Sequence, residues 1–115
     1  MNAERRYFAI SIKHTEYKWK FGMPCVLWGL HRTEDDEPRC FAGYTIYPEK
    51  AEHYAIGEMR EGGYGTEIKD DEPVSMSIDI CKKWRAYDTV LVEAEQYIAY
   101  CKMAGLAIEP PKEEP

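Results

Sequence analysis

Residues 7–14 read YFAISIKH. Phe8, Ile10 and Ile12 alternate with Ala9, Ser11 and Lys13, the period of a strand with one face buried and the other in water. Residues 16–21, EYKWKF, alternate in the same way, with Tyr17, Trp19 and Phe21 opposite Glu16, Lys18 and Lys20, until Gly22-Met23-Pro24 breaks the run. Residues 25–32, CVLWGLHR, are apolar on both faces as far as His31, which suits a strand near the middle of a sheet. Gly29 within it marks a bulge or a close approach. The segment 33–38, TEDDEP, reads as an exposed acidic turn, and 39–47, RCFAGYTIY, as a further strand. Four strands with short connections predict an antiparallel meander.

The pattern changes at Pro48. In PEKAEHYAIGEM, Pro opens the segment, acidic residues follow it, and Ala51, Ala55 and Met59 recur at helical spacing. Residues 62–73 read as a glycine-rich acidic loop. Residues 74–80, VSMSIDI, fit either period, and the indifferent helix propensity of Ser and Asp tips them towards strand. Asp88 is placed to cap a last helix, with Leu91, Ala94, Ile98, Cys101 and Met103 on or near one face and Gly105 ending it. The expected architecture is an α+β domain: an antiparallel sheet of four to five strands with two to three helices packed on one face. It spans residues 1–108, with the polar, Pro-rich 109–115 as a disordered tail.

With 115 residues, 44% of them apolar, the chain supports one domain with one core. No apolar run approaches the roughly 20 residues that cross a bilayer. The N-terminus lacks a small-residue cleavage site, so no signal peptide and a cytoplasmic location are expected. The four cysteines, Cys25, Cys40, Cys81 and Cys101, form no CxxC pair and sit in apolar runs. Reduced, buried thiols are expected of them, rather than disulfides.

Net charge is −6, unevenly spread. Residues 1–33 hold six basic and two acidic groups; residues 34–115 hold nine basic and 19 acidic. The acidic majority argues against general binding to duplex DNA, which needs a continuous basic footprint. It suits a basic partner protein, including one whose groove normally holds nucleic acid.

No arrangement of residues carries the spacing of a known chemistry. Zinc sites bring ligands in close pairs, and the nearest approach is Cys25, His31 and Cys40 on neighbouring strands; ordinary packing is expected there, with no metal or cofactor. A Cys–His nucleophile needs a thiol held at an imidazole, which spacing alone does not place. Glu34, Asp35, Asp36 and Glu37, and Asp70, Asp71 and Glu72, do not follow a calcium-loop pattern. They read as solvated turns, but carboxylates on a rigid turn can also dock onto Arg and Lys of a partner. The stretch Gly62-Gly63-Tyr64-Gly65-Thr66 lacks a phosphate-loop ending, and Tyr64 reads as a recognition anchor. The most suggestive run, 14–21, interleaves aromatic and basic residues, but on a strand these face opposite ways. Its functional reading is a nucleotide or oligonucleotide held by Lys18, Trp19, Lys20, Trp28, His31 and Arg32.

Compact, rich in Tyr and Trp, free of enzyme motifs and fitted with a short charged tail, the chain resembles the small acidic proteins that phages and mobile elements encode. The resemblance is one of composition. Many such proteins inhibit host defence, among them anti-CRISPR proteins that occupy an effector's nucleic-acid groove, and others sequester cyclic-nucleotide signals. No functional residue carries over. The expectation is a non-catalytic binding module, an inhibitor or adaptor that occludes a basic surface through Glu34, Asp35, Asp36, Glu37, Tyr64, Asp70, Asp71 and Glu72. The alternatives are the nucleotide binder and, last, an enzyme. A homodimer through exposed aromatic residues is compatible with either binding reading.

Overall fold

A computed structural model describes residues 5–18, 24–34, 36–61 and 67–110, with the side chains of 16–18 excepted. The alternation in 7–12 does mark a strand, β1 (Tyr7–Ser11). It is not half-buried, however. Phe8 and Ile10 enter one cluster, while Tyr7 and Ala9 enter a second cluster on the other side. The expected polar face is therefore inside as well, with Ala9 and Ser11 both buried.

The chain then turns into a helix, α1 (Ile12–Lys18), rather than a second strand. Ser11 N–H donates to the Val26 carbonyl and Ile12 N–H to that of Asp88, and the chain leaves the sheet there. Ile12 and Thr15, one helical turn apart, are buried, whereas Lys13 and His14 are exposed. Thr15 Oγ1 accepts a hydrogen bond from Val26 N–H at 2.8 Å, tying the helix to the returning chain. The expected strand over 16–21 is thus overturned as far as residue 18; Trp19, Lys20 and Phe21 lie outside the described residues.

β2 (Leu27–Trp28) and β3 (Tyr44–Thr45) are two-residue remnants of the longer strands expected over 25–32 and 39–47. Gly29 ends β2 at φ 88°, and a Cβ there would lie 2.5 Å from Glu52 Cβ. The expected close approach is present, and only glycine fits it.

Residues 48–59 are not one helix. Turns occupy 48–51, and Tyr54 bridges Tyr7 through two backbone hydrogen bonds of 2.8 and 3.1 Å. Only α2 (Glu58–Glu61) is helical. Extended backbone places Glu52 and Tyr54 in the interior, and both are 0% exposed. β4 (Ile68–Lys69) falls within the segment read as a loop, anchored by buried Ile68. The strand expected over 74–80 is absent: Val74 is buried but Ile78 is exposed, and α3 (Ile80–Lys83) follows.

The helix expected from Asp88 begins later. Residues TVLVE form β5 (Thr89–Glu93), and α4 runs over Ala94–Met103. Three β-branched residues in five favour the strand, and apolar clusters bury both its faces, Val90 and Val92 in one and Leu91 in the other, so it shows no alternation. Met103 is 86% exposed and not on the buried face. The helix does end at Gly105, at φ 72°, with Leu106 N–H to the Cys101 carbonyl and Gly105 N–H to that of Lys102, a Schellman cap.

The strand order is β3-β2-β1-β5-β4. The fold is α+β as expected, but the sheet is mixed: β4 pairs parallel to β5, and the other pairings are antiparallel. Ile12 of α1, Ile80 and Cys81 of α3, and Ala94, Tyr97 and Cys101 of α4 share one cluster, while Met59 of α2 lies in the other. Three helices therefore cover one face and a single turn of helix contributes to the opposite one. Fully burying side chains such as Phe8, Leu91 or Val92 contributes about 1.5–3 kcal/mol each. Tyr97, inside the larger cluster, accepts from Cys25 N–H at 3.0 Å, so its hydroxyl is partnered. Leu106 and Ile108 pack against that cluster. Among the described residues no helix is long and apolar enough to cross a membrane.

Candidate functional site

The acidic turn is built on a buried ion pair. Arg39 follows the turn, and its side chain folds under it. One guanidinium nitrogen, Nη1, donates to Glu52 Oε1 at 3.0 Å and to the His53 carbonyl at 3.3 Å. The other, Nη2, donates to the carbonyls of Glu34 and Glu37. Glu52 in turn accepts from the N–H groups of Thr33, Cys40 and His53 and from the Thr33 hydroxyl. Burial pushes the Glu52 carboxyl up, but these hydrogen bonds outweigh it and hold the group below its ordinary value. Both ends of the 33–40 segment are thus fixed from within.

Above this support Glu34, Asp36 and Glu37 are exposed. Glu37 N–H closes the turn on the Glu34 carbonyl at 3.0 Å, and Glu37 Oε1 accepts from Glu34 N–H at 3.1 Å. Arg39 directs both its terminal nitrogens to backbone carbonyls and Glu52. Among the described residues no cation pairs with the carboxylates of Glu34, Asp36 or Glu37. Asp35 lies outside the described residues.

The second acidic stretch differs. Asp70 was expected to face a partner, but it is 0% exposed. Its Oδ2 accepts from Arg60 N–H at 2.9 Å, and Oδ1 lies 3.4 Å from Arg60 Nε. A buried carboxylate with such partners holds α2 beside β4 and is lost to any docking surface. Asp71 is exposed but pairs with Lys69 at 3.3 Å, which lowers its pKa. Glu72 is exposed. Tyr64 lies outside the described residues.

Of the residues expected to hold a nucleotide, those described do not assemble as a stacking platform. Trp28 is nearly buried, with Phe41 and Tyr54 rings 5.5 and 6.2 Å away. Its ring packs in the second cluster and is not open to stack on a base. Trp19 and Lys20, and the side chain of Lys18, lie outside the described residues. His31 and Arg32 are exposed and line a cleft of about 360 Å³ with Glu49, Lys50, Glu109 and Pro110. Arg32 also reaches the Pro48 carbonyl at 3.3 Å.

The structure adds one proximity that spacing did not place. Cys40 Sγ lies 3.7 Å from His31 Nδ1 and 3.4 Å from the Ala42 carbonyl. Cys25 belongs to the larger cluster, so the Cys25–His31–Cys40 set does not come together. Among the described residues no group of three or more His, Cys, Asp or Glu could hold a metal ion. All four cysteines are free and buried, as expected. The Arg39–Glu52 pair was missed, because Arg39 was read within a strand and Glu52 within a helix, and spacing alone does not bring residues 13 apart together. The one hint was Gly29, whose missing side chain leaves room for Glu52.

A smaller cavity of about 190 Å³ lies among Arg6, His53 and Glu93–95. His53 packs edge-on to Phe8 at 5.0 Å, and its Nε2 is buried without a hydrogen-bond partner. Burial first, then the nearby Arg32 charge, lowers its pKa to about 4, against an opposing pull from Glu52. The ring is therefore neutral at pH 7. Compared with known proteins, the chain matches no family model, no curated protein and no solved structure.

Proposed function

We propose that the protein is a non-catalytic binding module, an inhibitor or adaptor that occludes a basic, nucleic-acid-binding surface of a partner protein. The observation that carries this reading is the acidic turn on its internal support: carboxylates of Glu34, Asp36 and Glu37 with no cationic partner among the described residues, on backbone held by Arg39 and Glu52. Preorganised carboxylates lose little conformational freedom on docking and present acceptors to Arg and Lys at fixed spacing. Attraction of this kind speeds encounter and weakens as salt rises. Asp71 and Glu72 add negative charge, with Asp71 already partly neutralised by Lys69. The composition shared with small phage-encoded inhibitors of host defence points the same way.

The test is displacement of labelled nucleic acid from a panel of RNA-guided nucleases and other effectors with basic grooves. The expected result is salt-sensitive displacement from at least one of them. The Glu34→Gln, Asp35→Asn, Asp36→Asn, Glu37→Gln variant, folded by circular dichroism, should lose it. Displacement that this variant retains in full removes the turn from the proposal, and none across the panel removes the proposal.

A further inference from the structure

Three of the six large apolar side chains exposed among the described residues lie on one hairpin: Leu30 at 53%, Tyr44 at 43% and Ile46 at 39%. β2 and β3 form its stem. Beyond them Gly29 N–H donates to the Gly43 carbonyl at 3.0 Å and Leu30 N–H to that of Ala42 at 2.9 Å, and the loop they close carries the acidic turn. Leu30 lies over Gly43, where a Cβ would meet Leu30 Cβ at 2.9 Å. Tyr44 packs on His14, with ring centroids 4.2 Å apart.

β3 ends the strand order, so among the described residues no strand pairs with its outer side. Leu27 stands opposite Thr45, and Trp28 opposite Tyr44. With Gly29 N–H on the Gly43 carbonyl, Trp28 and Tyr44 form a non-hydrogen-bonded pair, so the N–H and carbonyl of Tyr44 point away from β2. Sheets blunt such edges with charge or proline. The opposite edge, β4, is charged, with Glu67, Lys69 and Asp70 around Ile68. Residues 42–47, AGYTIY, hold neither charge nor proline.

From this geometry we propose that the outer edge of β3 docks an extended, arginine- or lysine-rich segment of a partner protein, which joins the sheet as a further strand. Its backbone pairs with Tyr44, its apolar side chains meet Leu30, Tyr44 and Ile46, and its cations meet the carboxylates of Glu34, Asp36 and Glu37. Charge complementarity selects this occupant. Among the described residues those carboxylates carry no cation. Arg32, two residues before Glu34, is turned to the carbonyls of Pro48 and Ala51. A second copy of this chain would bring a net charge of −6 and the same acidic turn with it. The inference rests on the docking reading and adds the form in which the partner is held.

The probe is a fluorescent peptide of about seven residues, alternating arginine and valine. Two controls are N-methylated, one at the arginines and one at the valines. N-methylation keeps charge and side chains but removes the N–H groups along one edge of the peptide. The unmodified peptide should bind the full chain and protect the Tyr44 amide from hydrogen exchange. One control should lose affinity about tenfold or more and the other little, because only one edge pairs. Ile46→Lys, at an exposed position, should weaken binding while leaving the melting temperature unchanged. Absence of binding, or equal effects of the two N-methylations, would overturn the proposal. Equal effects with binding lost in the variant neutralised at 34–37 would leave the docking reading standing without the edge. Unequal effects that persist in that variant would uphold the edge and count against the turn. A dimer of the free protein that Ile46→Lys dissociates would give the edge to a second copy and overturn the proposal.

Discussion

The turn at 34–37 and the loop at 70–72 are both acidic, and they hold their carboxylates in opposite ways. Around 34–37 the internal cation, Arg39, grips backbone carbonyls, so the side chains of Glu34, Asp36 and Glu37 are left outside, with no cation on their carboxylates among the described residues. At 70–72 the cations grip carboxylates: Arg60 takes Asp70 into the interior, and Lys69 pairs with Asp71. Lys69 is itself placed by the rings of Trp84 and Tyr87, 5.7 and 5.9 Å from its ammonium. A run of acidic residues is therefore a docking element or a structural one according to which atoms its neighbouring cations engage. Counting charges does not separate the two.

The largest expected effect comes from undermining the turn. Arg39→Met leaves Glu52 buried without its ion pair, and should cost about 3–5 kcal/mol in urea unfolding. Replacing both, Arg39→Met with Glu52→Leu, should recover part of that loss. A cost under about 1 kcal/mol for the single change would mean that the turn is not supported from beneath, and the contrast with 70–72 would fail.

Acid should loosen the same region. His53 donates its backbone N–H to Glu52 and its carbonyl accepts from Arg39, so it belongs to the turn's support. Its native pKa is about 4, against about 6.5 when unfolded. Between those values the unfolded state binds the extra proton, so stability falls as pH drops from about 6.5 to 4, by at most about 3 kcal/mol before solvent screening. Glu52, with its native pKa below its ordinary value, adds a further loss below about pH 4.5. Thermal melts across this range should show the decline, and His53→Gln should flatten its upper part. A flat wild-type profile from pH 7 to 4 would show that His53 is not held neutral.

The smallest effects belong to the second stretch. Asp70→Asn removes a buried charge from Arg60 and should cost about 1–3 kcal/mol. Asp71→Asn, on an exposed carboxylate, should leave the melting temperature unchanged. Neither change should alter partner displacement as strongly as neutralising 34–37. Displacement lost in Asp71→Asn and kept in the 34–37 variant would reverse the assignment of the two regions.

Several features were readable from residues alone because their causes are local. The strand at 7–11 lies within the stretch 7–14 read as strand from its alternation, the helix stop at Gly105 follows from a residue that tolerates positive φ, and the acidic turn from Pro, Asp and Glu in succession. The tight spot at Gly29 and the reduced, buried cysteines were readable in the same way. The fold class also followed, from β-rich runs preceding helical ones.

Long-range contacts decided the rest. EYKWKF alternates like a strand, yet its first three residues complete a helix, because α1 starts where β1 meets Val26 and Asp88. TVLVE fits the start of a helical face, yet it is strand, because β1 and β4 pair with its two edges and apolar clusters bury its two faces. Asp70 and Asp71 are neighbours of one type, and only the placement of Arg60 and Lys69 separates them. Cys40 meets His31 from nine residues away, and Arg39 meets Glu52 from 13. Propensity and periodicity act over a few residues, whereas a charge's partner and a thiol's neighbour are set by where the whole chain packs.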